Sequence, residues 1–303
     1  MTSKNSGAIL RAVIIKKGVT MTFRTNQNYH DFLRRVENEI MSHPIIHDNQ
    51  YTRWFKEGAF TLDDLRHFTT QFSVFSNFFI IAQLKKVINA VSLEEMRASK
   101  EILANEIGVV FHKKDPNHHE REFAPDEAPN NPELVSSEGT VQGGLFHFEA
   151  AHFEWLLNFA KPLGLEFSDL GKRHHGTTTT LHFTDGLERI YGGIDFSRSA
   201  GASFAIENWA AAGFWKELIQ GLKIFRQKTG MKLNLGFWTF HDRLEDQHAQ
   251  HTKDELREVF FYQQFNEDKF VQAGREMLDC CAVFWNGLHE DQLKRQTEDR
   301  KAV

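Results

Sequence analysis

The chain has 303 residues and a net charge of −5; 41% of residues are hydrophobic and 25% charged. That length can bury a substantial core in one large helical domain or two small ones, and the mild acidity argues against both nucleic-acid binding and disorder. No run approaches the ~20 apolar residues of a membrane span. The two cysteines, Cys280 and Cys281, are adjacent. They read as free thiols of a reducing compartment, so the cytoplasm is the expected location.

Residues 1–26 read as an N-terminal extension, and the apolar run from Ala8 to Lys17 lacks the cleavage site of a leader. Helical spacing then takes over. Phe32, Val36 and Ile40 recur every four residues and form one apolar stripe. Thr61 before Asp63 and Asp64 predicts a capped helix start, followed by a long phenylalanine-rich helix from Leu65 to Ala90. Ser92 to Glu95 has a capping-box pattern and opens a helix through Ile102 and Glu106 towards Val110. The proline-bearing stretch 113–144 reads as an insertion loop. A helix is expected from Phe146 to about Ala160, stopped by Pro162 and Gly164. Shorter helices and loops follow from Phe167 to Ser203, then helices from Phe204 to about Phe225 and from Phe237 to about Gln264. A last amphipathic helix spans Lys269 to Gly287, with Phe284 and Trp285 suited to packing in a homodimer. The predicted class is all-α, a single bundle-like domain over residues 27–303.

The chemistry concentrates on four segments. In W-T-F-H-D-R-L-E-D-Q-H, His241, Glu245 and His248 stand at i, i+4 and i+7, within about 60° of one another on a helix. Two imidazoles and a carboxylate on one stripe suit iron, and the preceding Phe237, Trp238 and Phe240 favour turning that stripe inward. The alternative is a solvated polar face. Glu149-Ala-Ala-His152 is a Glu-x-x-His motif, as is Glu245-Asp-Gln-His248; two copies are more specific than one. Glu106 and Glu207 are each a lone acid among apolar residues, readable singly as boundary residues or halves of ion pairs. Taken together, these residues supply the carboxylates and histidines that two cations need. Arg198 and His174, with Arg173 and His175, are candidates for holding a substrate carboxylate, or else surface residues.

The segments H-P-I-I-H, T-L-D-D-L-R-H-F, A-N-E-I-G, A-A-H-F-E-W-L-L, I-E-N-W and F-H-D-R-L-E-D-Q-H resemble the heme-oxygenase-like di-iron oxidases, over roughly His43 to Lys253. The resemblance implies a heme-oxygenase-like helical bundle. It implies two Fe ions (Fe2+/Fe3+) held by Glu106, His152, Glu207, His241, Glu245 and His248, with Glu149 as a seventh ligand. O2 would be the co-substrate and a small molecule the substrate, oxidised by N-oxygenation, desaturation or C–C cleavage. An external electron donor is compatible with this. The sequence departs from the family pattern in having Glu245 where Asp is usual, and in the long gap between Glu106 and His152. The ligand order also resembles the ferritin-like p-aminobenzoate N-oxygenases. A metal-free hydrolase or binding protein of thiaminase-like fold, and a true heme oxygenase, are the alternatives.

Overall fold

The computed structural model describes residues 15–16, 19–20, 24–112, 137–141, 144–148 and 150–302, without the side chains at 15–16, 19–20, 110–149, 244–252, 254–255 and 299–302. A two-residue hairpin, β1 (Ile15–Lys16) with β2 (Val19–Thr20), precedes the first helix. Helix α1 (Asn26–Val36) is capped by Thr25 and buries Phe32 and Val36; it runs on into a π-helical turn, Glu37–Met41, that buries Ile40. The expected apolar stripe is therefore the buried one. Two short helices follow, α2 (Pro44–His47) and α3 (Gln50–Phe55). Arg24 ties this end to the rest of the chain, donating to the carbonyls of Phe260, Tyr262 and Phe265.

Helix α4 (Leu62–Asn89) starts where the sequence indicates: Thr61 accepts from Asp64 N, and the Asp64 carboxylate accepts from Thr61 N. Ser92 caps α5 (Leu93–Glu106), which stops at Gly108, where φ is +72°. A small antiparallel sheet comes next, in the order β3 (Val109–His112), β5 (Gly144–Phe148), β4 (Ser137–Val141). This corrects two sequence expectations. The end of the 113–144 stretch is strand where a loop was expected. Phe146 and Phe148 belong to β5, so α6 (His152–Ala160) begins only at His152. The short aromatic run bends to its neighbours in the sheet, which supply the backbone partners a helix would otherwise provide.

Helix α7 (Thr178–Gly186) continues into a second π turn, Leu187–Tyr191. The helix expected over Phe204 to Phe225 is two, α8 (Phe196–Ala210) and α9 (Phe214–Thr229), broken at Gly213, whose φ of +104° is open to glycine. Helix α10 spans Gly236–Phe260 and α11 spans Glu267–Ala302. Helices α8 and α11 cross almost backbone to backbone: a Cβ on Gly201 would lie 2.1 Å from the Phe270 carbonyl oxygen.

Phe284 and Trp285 are fully buried in the chain's own core, so they are not the dimer surface the sequence suggested. Burying them against Tyr51, Phe75 and Phe183 satisfies their apolar area within one copy. Among the described residues, no helix is long and apolar enough to cross a membrane.

Candidate metal centre

Three helix ends or turns meet at one point. Glu106 is the last residue of α5, His152 the first of α6, and His241 lies in the second turn of α10. One ligand atom from each lies within 4.8 Å of the other two. His152 Nδ1 is 3.0 Å from Glu106 Oε2, and the rings of His152 and His241 have centroids 4.7 Å apart. His152 is buried at 5% exposure.

Aromatic packing sets the orientation of both imidazoles. Trp215 stacks on His241 at 4.9 Å with an interplanar angle of 22°, and Phe237 approaches the same ring at 4.4 Å. Phe240 meets His152 edge-on at 5.2 Å. His241 Nδ1 lies 2.6 Å from the Phe237 carbonyl oxygen. A carbonyl only accepts, so Nδ1 donates, and the neutral ring carries its lone pair on Nε2. A backbone carbonyl on the far nitrogen is the usual way a metal-binding histidine is fixed in tautomer and direction.

Glu207, on α8, is buried and lines the same cavity as Glu106, His152 and His241. Its neighbours in sequence, Trp209 and Ala210, line it too, as does Trp215 across the Gly213 break. Helix α10 runs unbroken through Glu245 and His248, so they keep their places on the His241 stripe; their side chains lie outside the described residues. Glu149 also lies outside the described residues. Ala150 and Ala151 lie outside any helix, and α6 begins at His152. Glu106 stands beside His152.

The structure does not bring the proposed carboxylate-holding residues to the cavity. Arg198 pairs with Glu276, which also accepts from Arg189 at 2.7 Å. His174 is exposed, Arg173 is forked onto Asp185 at 2.6 and 2.9 Å, and His175 Nε2 meets the Ser168 carbonyl at 2.7 Å. Sequence reasoning missed the Trp215 stack on His241. The signal available was the run W-A-A-A-G-F-W, whose small residues let two indoles approach one site.

The donor set fits a transition metal. Two imidazole nitrogens and a carboxylate oxygen are the mixed donors that iron accepts. A 3.0 Å contact between His152 and Glu106 matches the edge of an octahedron with bonds of about 2.1 Å. The 4.8 Å limit is slightly wider than such a shell, so a bound ion would draw the three groups inward.

No protein-family model matches the chain, and no curated protein matches it. Solved structures do. One is a domain of unknown function with a heme oxygenase-like fold from Shewanella denitrificans OS217. It has a TM-score of 0.57 and 13% identity, over 88% of this chain and 94% of that one. Another is a CADD-like protein of unknown function from Nostoc punctiforme PCC 73102, with a TM-score of 0.53 and 14% identity, over 89% and 97%. This chain has a heme oxygenase-like fold. That is the helical architecture expected from the sequence resemblance. In this heme oxygenase-like bundle the centre sits where α5, α6, α8 and α10 converge.

Proposed function

We propose that the chain is a non-heme di-iron oxidase or oxygenase that uses O2 to oxidise a small organic substrate, by N-oxygenation, desaturation or C–C cleavage. The observation that carries this reading is the convergence of Glu106, His152 and His241 from three helices, within 4.8 Å, on the wall of an aromatic cavity. Glu207 adds a buried carboxylate to that wall, and Glu245, His248 and Glu149 are the further ligands of a two-metal set. Bound iron would supply the electrons and open coordination positions that O2 needs, with an external donor replenishing the electrons.

The chain's own residues hold this site ready. Phe237 O keeps the proton of His241 on Nδ1, leaving Nε2 to ligate. Glu106 Oε2 and His152 Nδ1, 3.0 Å apart, are spaced to share one ion. Trp215, Phe237 and Phe240 pack around the imidazoles and keep water from their faces. Several acids share this dry interior because cations would balance them. For a metal-free hydrolase using a cysteine, no thiol is among the described lining residues: Cys280 and Cys281 are buried in α11.

The test is anaerobic Fe(II) titration with metal analysis, followed by mixing with O2 and visible spectroscopy. Uptake of about two irons per chain, reduced in His241→Ala and Glu106→Gln, supports the reading. No uptake, or uptake indifferent to both substitutions, overturns it.

A further inference from the structure

Helix α5 is turned inside out. Its buried residues are Glu95 and Ser99, both polar, whereas Leu93 and Met96, with Ile107 just past its end, are exposed. At about 100° per residue these three fall within about 60° of one another, so they make one outward stripe. The end of α4, joined to α5 by a short turn, carries a matching stripe. Ile81, Leu84 and Ile88 are exposed along it, and Val91 in the turn, opposite the face that buries Ala82, Gln83 and Lys86. The inner seam of this hairpin is polar instead: Gln83 donates to the Ser99 carbonyl at 2.7 Å, and Val91 N donates to Glu95 at 2.8 Å.

The exposed apolar side chains of the hairpin range from 38% at Met96 to 67% at Ile88. The other large apolar side chains exposed among the described residues stand singly on separate segments. A surface helix ordinarily points its apolar stripe at its own core, and a patch of several hundred Å² facing outward marks an interaction site. With the charged residues around it, this face is on the order of the ~800 Å² per partner that a stable interface covers.

The stripes suit a helical partner, because their residues keep the three- and four-residue steps by which helices interlock. The exposed charges of α5 cancel, Glu94 and Glu101 against Arg97 and Lys100, and Lys85 on α4 is paired with Glu188. Two identical faces of balanced charge meet without repulsion, whereas a helix drawn to anionic lipid carries a basic excess. We propose that the α4–α5 hairpin is the interface of a homodimer, in which each copy covers the other's stripe. This inference stands apart from the oxidase reading. It bears on the candidate centre all the same: α5 ends on Glu106, and Ile102 and Asn105 of the same helix line the cavity, so the second copy braces the helix that carries this carboxylate.

Sedimentation equilibrium on the full chain tests this. The wild type is expected at twice the 35.1 kDa of one chain. Ile88→Glu and Met96→Glu are each expected to weaken self-association at least about tenfold, since each would bury a charge against the partner. Ile194→Glu, at an exposed position outside the hairpin, is expected to leave it unchanged. If the hairpin variants fail to fold, amide exchange of the wild type at two protein concentrations carries the test: exchange over residues 81–107 is expected to slow at the higher one. Undiminished self-association in both hairpin variants, hairpin exchange indifferent to concentration, or a monomeric wild type overturns the inference. A monomer that co-sediments with phosphatidylcholine–phosphatidylserine vesicles overturns it in favour of a lipid surface.

Discussion

His152 Nδ1 lies 3.0 Å from Glu106 Oε2 although 46 positions separate the two residues. The small sheet accounts for the meeting. Strand β3 starts just after Glu106, β5 ends just before His152, and their outermost pair is Val109 with Phe148. The ladder therefore pairs the two ends of the intervening stretch next to Glu106 and His152. The long gap between Glu106 and His152 therefore does not keep the two side chains apart.

Removing either partner of this pair should empty the centre and spare the fold. Glu106→Gln keeps the shape but deletes the charge; His152→Ala deletes the nitrogen. Each is expected to weaken iron binding by at least about tenfold, with the far-ultraviolet dichroism unchanged. Equilibrium dialysis against Fe(II) under nitrogen measures it. Affinity unchanged in both variants would remove these residues from the centre.

The α8–α11 crossing predicts an asymmetric response to one methyl group. At Gly201 a Cβ meets the Phe270 carbonyl oxygen at 2.1 Å, which is backbone and cannot turn away. At Gly274 the nearest atom is Ile40 Cδ1 at 2.6 Å, the end of a flexible side chain. Gly201→Ala should cost about 2–3 kcal/mol or more and Gly274→Ala less, read from urea melts. The opposite order would show that the crossing is looser than described.

His67 makes stability depend on pH. Burial pushes its pKa down, Arg295 pushes it further down, and Asp291 opposes both. In the unfolded chain the ring takes up a proton near pH ~6.5, whereas the folded protein resists it to lower pH. This contribution is therefore complete above the unfolded value and is lost as pH falls through the folded one. Urea melts from pH 7.5 down to 5 should show falling stability, with a flatter profile in His67→Gln. An unchanged profile in that variant would assign the effect to other groups.

The two thiols should be silent until the protein unfolds. Burial raises the pKa of Cys280, and that of Cys281 well above its ordinary value; both are free and buried. Neither should react with a thiol-specific disulfide reagent at pH 8 in the native state, and both should react in denaturant. Rapid native labelling of either would contradict their packing.

Much of the bundle was legible because its signals are local. The Phe32–Val36–Ile40 stripe and the Thr61 and Ser92 caps depend only on neighbours within a turn, and all formed as read. The break at Gly213 was missed because the alanines before it fit a helix as well as an end. The strand at Phe146–Phe148 was missed because its partners, Val109–His112 and Ser137–Val141, are remote in sequence. The cluster of Glu106, His152 and His241 was legible as residue types, since lone acids and histidines among apolar neighbours need a reason. Which acid stands beside His152 was not, because the sheet decides it.

The indole of Trp215, lying flat on His241, gives the centre an optical channel of its own. A paramagnetic ion seated at that imidazole would drain the excited state of the ring above it. Occupancy can then be followed in the untagged protein by emission, and Trp215→Phe, which leaves the other five tryptophans, shows the share of the quenching that this ring carries.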